Sequence, residues 1–393
     1  MRCQIQLPEP IIGFSESCAR SGEKVKVRWM EFTSSEDGDK FVRRLEELQA
    51  CLISKIPGCP SPSQIDHLLA VVGPDLHATI IVNELQPLVH IRAKRDVNPG
   101  DPLLMDHILD VGRMNLGVST PGDHAIVFIF SLGWRKSLFF DFGALSKPPI
   151  LRTYDLEVLL GQQYAYLLFQ DQFKISELQW QNLFEAHWFP FRHLPHDIVR
   201  RMLNLASQSW PIDEILEDPK LEEAILAAQN RPQNALQSSA FAEHRDLLVH
   251  AFERYAAQDY QSCVALLYPR IEGILRSIQA QVGTGSPTAA GVVDTATLRY
   301  EQALGSRTML LPDKFRDFLT HVYFRGWHPG DPPEHVSRHT VSHGVAPVEK
   351  FDRKAAMVGI LTVLQIGLYL DPELGPAGPS QSDVKMAISR GAG

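Results

Sequence analysis

Tyr260-Gln-Ser-Cys-Val-Ala-Leu-Leu-Tyr-Pro-Arg-Ile-Glu-Gly-Ile-Leu-Arg-Ser-Ile-Gln-Ala-Gln-Val282 reads as one long helix, with Asp259 just ahead of it as a helix-start residue. Phe241 to Gln258 reads as a second long helix before it. After the loop Gly283-Thr-Gly-Ser-Pro287, a helix is expected over Pro312 to Tyr323. A polar, turn-rich loop follows at Gly326-Trp-His-Pro-Gly-Asp-Pro-Pro333, and a final apolar helix runs from about Phe351 to Leu370, stopped by Asp371-Pro372. Residues 236–371 therefore predict a helical bundle. The Gly-, Pro- and Ser-rich residues 372–393 predict a disordered tail.

Working back from the bundle, residues 149–235 predict an all-α connector. Leu156, Leu159 and Leu160 share helical spacing, as do Ile198, Met202 and Leu205, with breakers at Asp218-Pro219 and Arg231-Pro232. Residues 1–148 read differently. Lys24-Val-Lys-Val-Arg-Trp29 alternates with a period of two, and Ala78–Val82 and Leu88–Arg92 are short runs with β-branched residues. Ala125–Phe130 and Ser137–Phe142 flank Gly133-Trp134 as a hairpin. One helix interrupts them over Asp39 to Ile53, capped from Asp37-Gly38-Asp39. The expected class is multi-domain: an N-terminal α+β module, a helical connector and a C-terminal bundle.

Composition narrows the function. The 393 residues carry a formal net charge of −8, so no global positive field draws in nucleic acid, and any RNA binding must use a local cationic site. Cys3, Cys18, Cys51, Cys59 and Cys263 form no CxxC pair, which argues against a disulfide framework or a zinc ribbon. The start lacks the pattern of a signal peptide, and Ala355–Leu370, interrupted by Thr362 and Gln365, is too short to span a bilayer. The expectation is a cytoplasmic protein with no membrane partner.

Chemistry concentrates at Arg338-His339-Thr340-Val341-Ser342-His343-Gly344. A guanidinium can hold a phosphate bidentately, and an imidazole can move a proton near neutral pH. Together they suit cleavage of an RNA phosphodiester with no metal or other cofactor. In a straight helix Arg338 and His343 would lie about 140° apart, at roughly 100° per residue. They could converge only across a helix terminus or a cleft shared between two chains, which a symmetric dimer would provide. A competing reading takes His335, His339 and His343, at i, i+4 and i+8, as metal ligands, with His328 and Asp331 just ahead. The Glu of an HExxH motif is absent from that run. The plain alternative is an Arg and a His five apart by chance.

Other features have plain readings. Gly133-Trp134-Arg135 with Phe139-Phe140 offers a recognition surface, but such rings are more often core. Asp106, Asp110 and Asp141 lack a partner motif. Lys314, Arg316 and Arg325 add positive charge that is usually a solvated face.

The segment from about 240 to 371 resembles the HEPN superfamily of helical-bundle ribonucleases, toxins and abortive-infection proteins. Arg338-His339-Thr-Val-Ser-His343 fits its signature of an Arg, a polar residue, three further residues and a His. Tyr268-Pro-Arg-Ile-Glu-Gly-Ile-Leu-Arg276 is similar to a segment of many such proteins. The resemblance implies a metal-independent endoribonuclease in phage defence or a toxin-like stress response. Arg338 and His343 would be catalytic, His339 would support them where many members have Asn, and Glu272 would hydrogen-bond the Arg unless it forms an ordinary ion pair. It further implies RNA as substrate, a homodimer through the bundle, and an N-terminal module that answers a trigger ligand or protein. The alternative is a non-catalytic dimerisation or RNA-binding protein.

Overall fold

Residues 125–130 are apolar at every position because the strand they form is covered on both faces. The computed structural model describes residues 1–58, 60–229, 238–283, 286, 288–330, 332 and 335–370. The expected breaker at Arg231-Pro232, parts of the 283–287 and 326–333 loops, Cys59, Asp331, the stop at Asp371-Pro372 and the tail lie outside them. The strands are β1 (Arg2–Gln6), β2 (Phe14–Ser15), β3 (Val27–Arg28), β4 (Met30–Ser34), β5 (His67–Val72), β6 (His77–Val82), β7 (Leu88–Ala93), β8 (Ile108–Asn115), β9 (Ala125–Leu132) and β10 (Arg135–Asp141). Among the described residues two compact units divide the chain: Met1–Ile91 with Val111–Leu168, and Arg92–Asp110 with 169–370.

The first unit is built on a six-stranded antiparallel sheet in the order β1-β6-β5-β9-β10-β4. Helices α1 (Asp39–Cys51) and α2 (Leu156–Leu168) supply its two covers. Leu68, Ala70, Val72, Val127 and Ile129 pack in one core with Phe41 and Leu48 of α1. Leu69, Val71, Ile126, Phe128 and Phe130 pack in the other with Leu156, Leu160 and Leu167 of α2. Successive strand residues point to opposite faces, so a strand sandwiched this way loses its alternation and reads as a solid apolar run. A Cβ at Gly161 of α2 would meet the Arg113 backbone at 2.8 Å, so the glycine is what lets helix and strand approach.

The β9–β10 hairpin turns at Gly133-Trp134, and Gly133 takes the positive φ (62°) that the first position of a type II′ turn needs. Helix α1 departs from its expected cap. Gly38 precedes it without a side-chain bond, and Asp37 instead receives the Ser34 amide at 2.7 Å in the turn before. Helix α1 also buries Arg44 completely, and its guanidinium meets Glu31 at 2.6 Å, Glu47 at 2.8 Å and Glu16.

From Phe169 on, every regular element among the described residues is helical. These are α3 (Gln170–Phe173), α4 (Glu177–Glu185), α5 (His196–Ser207), α6 (Pro219–Gln229), α7 (Arg245–Ala256), α8 (Tyr260–Val282), α9 (Ala289–Thr295), α10 (Leu298–Leu304), α11 (Pro312–Phe318), α12 (Arg338–Ser342) and α13 (Arg353–Tyr369). Helix α8 is the hub, packing against α7, α9, α12 and α13. Asp259 caps it, accepting from the Ser262 amide at 3.1 Å, and Leu267, Ile271, Ile274, Leu275 and Ile278 are buried along it. Gly273 serves packing: a Cβ there would sit 2.7 Å from the buried His244 ring.

Helix α13 is apolar all round because it is enclosed on all sides, and its Thr362 hydroxyl turns back onto the Val358 carbonyl at 2.7 Å. No helix among the described residues is long and apolar enough to cross a membrane. Two sequence expectations shift at their edges. The helix expected from Phe241 begins at Arg245 after a short turn, and α11 passes at Leu319–Tyr323 into a π turn, where the Phe324 amide reaches the Leu319 carbonyl at 2.7 Å.

Candidate functional site

Helix α12 has five residues, too few to hold themselves as a helix in water, so its ends carry the burden. At its start Ser337 and Thr340, both fully buried, cap each other: the Thr340 amide donates to the Ser337 hydroxyl at 3.3 Å, and the Ser337 amide donates to Thr340 Oγ1 at 2.9 Å. The Ser337 hydroxyl also donates to the Arg325 carbonyl at 3.0 Å, and the Thr340 hydroxyl to the His335 carbonyl at 3.0 Å. At its end Gly344 takes φ +68°, and the Val345 amide closes on the Thr340 carbonyl at 3.0 Å. A β-carbon at that φ would be strained, which accounts for the glycine directly after His343.

With the helix pinned, Arg338 at its first position faces α8. Its Nε–H donates to Glu272 Oε2. The other carboxylate oxygen takes two bonds from Arg276, at 2.9 Å from Nε and 2.6 Å from a terminal nitrogen. Glu272 is buried (8% exposed), while Arg338 and Arg276 keep parts of their side chains in solvent. Among the described residues the Arg338 guanidinium makes no hydrogen bond besides the one to Glu272, so its two terminal nitrogens remain for a ligand. The Arg276 guanidinium beside it was not singled out from the sequence. Its position four residues after Glu272 on one helix face was the available signal.

His343 sits at the C-terminal end of α12 and is exposed. Its ring stacks on His339, centroids 6.1 Å apart and planes 19° from parallel. Partial burial, the Arg338 charge and the neighbouring His343 hold the His339 imidazole below its usual pKa, which favours its neutral form. The structure thus joins Arg338 to Glu272 and His339 to His343. Within one chain, and among the described residues, it forms no contact between Arg338 and His343, as their angular separation on a helix implies.

The three histidines of the metal reading occupy different settings. His335 precedes the helix and stands 6.3 Å from the His187 ring, centroid to centroid, while His339 and His343 lie along α12. Among the described residues no group of three or more His, Cys, Asp or Glu is placed to hold a metal ion. The three aspartates each have their own partners: Asp106 takes the His196 amide, Asp110 the Tyr300 hydroxyl at 2.5 Å and Asp141 the Tyr154 hydroxyl at 2.6 Å. Phe139 and Phe140 are core, and Trp134 is 75% exposed with Arg135 over its ring at 5.2 Å. Lys314 pairs with Glu177 and Asp317, and Arg316 with Glu301 and Asp313.

A groove opens beside this site, in the same unit. One stripe of α4 (Glu177, Trp180, Gln181, Phe184, Glu185) faces Lys314, Asp317, Thr320 and His321, and Arg325 and Gly326 complete the lining. The chain matches no protein-family model, no curated protein and no solved structure.

Proposed function

We propose that the chain is a metal-independent endoribonuclease of HEPN type, with Arg338 and His343 as the catalytic pair. The observation that carries the reading is the arrangement on α12. One guanidinium is oriented by a buried carboxylate through its Nε alone, and one imidazole stands exposed five residues on, at a terminus fixed by a glycine cap. A guanidinium held by one edge presents the other to a phosphate, which is the bidentate geometry such recognition uses. His343 would take the proton of a ribose 2′-hydroxyl as the 2′-oxygen attacks phosphorus. The P–O5′ bond breaks, and the leaving 5′-oxygen acquires a proton, giving a 2′,3′-cyclic phosphate and a 5′-hydroxyl. Arg338 would stabilise the charge on the phosphorane. Since the two residues diverge around α12, the working site joins Arg338 of one protomer to His343 of its partner in a homodimer. The biological setting that goes with this reading is self-directed RNA cleavage in phage defence or stress.

The test is cleavage of end-labelled RNA in EDTA by the wild type, Arg338→Ala and His343→Ala. Cleavage that persists in EDTA and is lost in both variants supports the reading. Mixing the two inactive variants should restore part of the activity through heterodimers that carry one intact site. An intact dimer with no cleavage of any RNA offered would instead favour the non-catalytic dimerisation or RNA-binding role, and activity restored by zinc would favour His335, His339 and His343.

A further inference from the structure

We infer that the groove between α4 and the α11–π turn segment is a subsite for an unpaired base of single-stranded RNA. It rests on the ribonuclease reading but uses residues of the helical connector that the reading does not require. The groove has a volume of about 710 Å³, in the range of small-molecule and nucleotide sites. Its walls carry one stacked ring pair and one cation–π pair. His321 lies parallel to Phe184, planes 9° apart and centroids 6.0 Å apart, and Lys314 stands 5.5 Å over the Trp180 ring. His321 Nδ1 donates to the Asp317 carbonyl at 2.8 Å, so its plane is fixed before anything binds. A fixed, exposed imidazole plate backed by a phenyl ring is a stacking platform, and stacking suits any base because every base has a π face.

Each carboxylate that lines the groove has a partner within it. Glu177 and Asp317 are engaged by Lys314 at 3.3 Å and 3.6 Å, and Glu185 accepts from Gln181 at 2.9 Å. Arg325 lines the groove, is exposed and meets no carboxylate among the described residues, so its guanidinium is suited to a backbone phosphate. The groove is also tied to the proposed active site: the carbonyl of Arg325 receives the hydroxyl of Ser337, the residue that caps the helix carrying Arg338. A strand whose base stacks on His321 would pass Arg325 on its way to α12.

The experiment uses full-length His343→Ala protein, which separates binding from cleavage, and a fluorescent 2′-O-methyl oligonucleotide, which cannot be cleaved. Fluorescence anisotropy should show binding of the single strand and much weaker binding of the same sequence as a duplex. Adding His321→Ala or Arg325→Ala should weaken the single-strand affinity roughly 10- to 100-fold, the range expected when a stacked base is lost. Both residues are exposed, and an unchanged melting temperature would show that the fold is intact. Affinity unchanged by either substitution, or no binding of the single strand, overturns the subsite, whatever the cleavage assay shows. Groove-dependent binding by a wild type that cleaves nothing supports the subsite and removes the ribonuclease reading, so the two failures are distinguishable.

Discussion

Arg338 donates its Nε–H to Glu272, a residue 66 positions earlier on the hub helix, and shares that carboxylate with Arg276. One anion therefore orders two cations at the edge of the bundle. Replacing Glu272 with Gln keeps the shape and removes the charge, leaving two guanidiniums side by side over a buried amide. The expected cost is about 1–3 kcal/mol, the range for a lost charge-assisted hydrogen bond. Urea unfolding of Glu272→Gln, Arg338→Met and the double variant would measure the coupling. A double variant whose loss equals the sum of the singles would show that the pair does not act as a unit.

Arg338→Lys separates holding the helix from holding a phosphate. An ammonium can still reach Glu272, but it lacks the planar fork that remains on Arg338 once Nε is engaged. Stability is expected to change by less than about 1 kcal/mol, since one partly exposed ion pair is exchanged for another. RNA cleavage is expected to fall about a hundredfold, the effect of removing one oriented transition-state donor. Full activity in the Lys variant would show that a point charge suffices.

Gly273 sits beside Glu272 for a packing reason. Gly273→Ala would place a methyl group 2.7 Å from the His244 ring, which is itself buried, and overpacking of this kind costs about 1–3 kcal/mol. Truncating the obstacle should recover most of the loss, so Gly273→Ala with His244→Ala is expected to be more stable than additivity allows. Thermal melts of the four proteins would decide it. Strict additivity would mean that the helix shifts and the two residues do not collide.

The outline of both units was legible because their strongest signals are local. Asp259 announces the hub helix with its own side chain, and Gly133-Trp134 announces a hairpin with a backbone angle. Strands β5 and β8 were not read from the sequence. Leu68–Val72 is buried on both faces and so shows no period of two, and β8 carries Gly112 and a buried Asp110 whose partner, Tyr300, is distant in sequence. The site was legible as residues but not as geometry. Spacing placed Arg338 and His343 on different faces of a helix, but the pairing of His339 with His343, the shared carboxylate and the Arg325–Ser337 bond are all tertiary. The groove is not legible in the sequence because its two walls, residues 177–185 and 314–326, are brought together only by the tertiary fold.

In the first unit the critical residue is Arg44, fully buried against Glu16, Glu31 and Glu47. Arg44→Ala strands Glu31, itself buried, with only the exposed Lys40 amine at 2.7 Å to offset it among the described residues. A broken buried ion pair typically costs about 3–5 kcal/mol, so this variant is expected to unfold well below the wild type. Arg44→Met combined with Glu31→Gln removes the charges together and should recover much of the loss. A single Arg44→Ala variant as stable as the wild type would mean that the cluster is solvated in solution.

His187 ties the second unit's stability to pH. It adopts φ +55° at the end of α4, and burial, helped by the nearby Lys354, Arg325 and His335 charges, lowers its pKa from 6.5 to about 4. Above pH 6.5 the imidazole is neutral in both the folded and the unfolded chain, and the stabilisation is complete. As pH falls from 6.5 towards 4 the unfolded chain takes up a proton that the folded chain refuses, so stability declines through that window and levels off below it. The decline from this one site is about 3 kcal/mol, at about 1.4 kcal/mol per pKa unit. His187→Asn tests it without disturbing the backbone, because Asn tolerates the left-handed region and does not titrate. Urea midpoints measured from pH 8 to pH 4 should fall less steeply for the variant than for the wild type, with the two curves separating below pH 6.5. Parallel curves over that range would place the acid sensitivity elsewhere, with the half-buried His193, whose pKa desolvation lowers to about 3, as the next residue to replace.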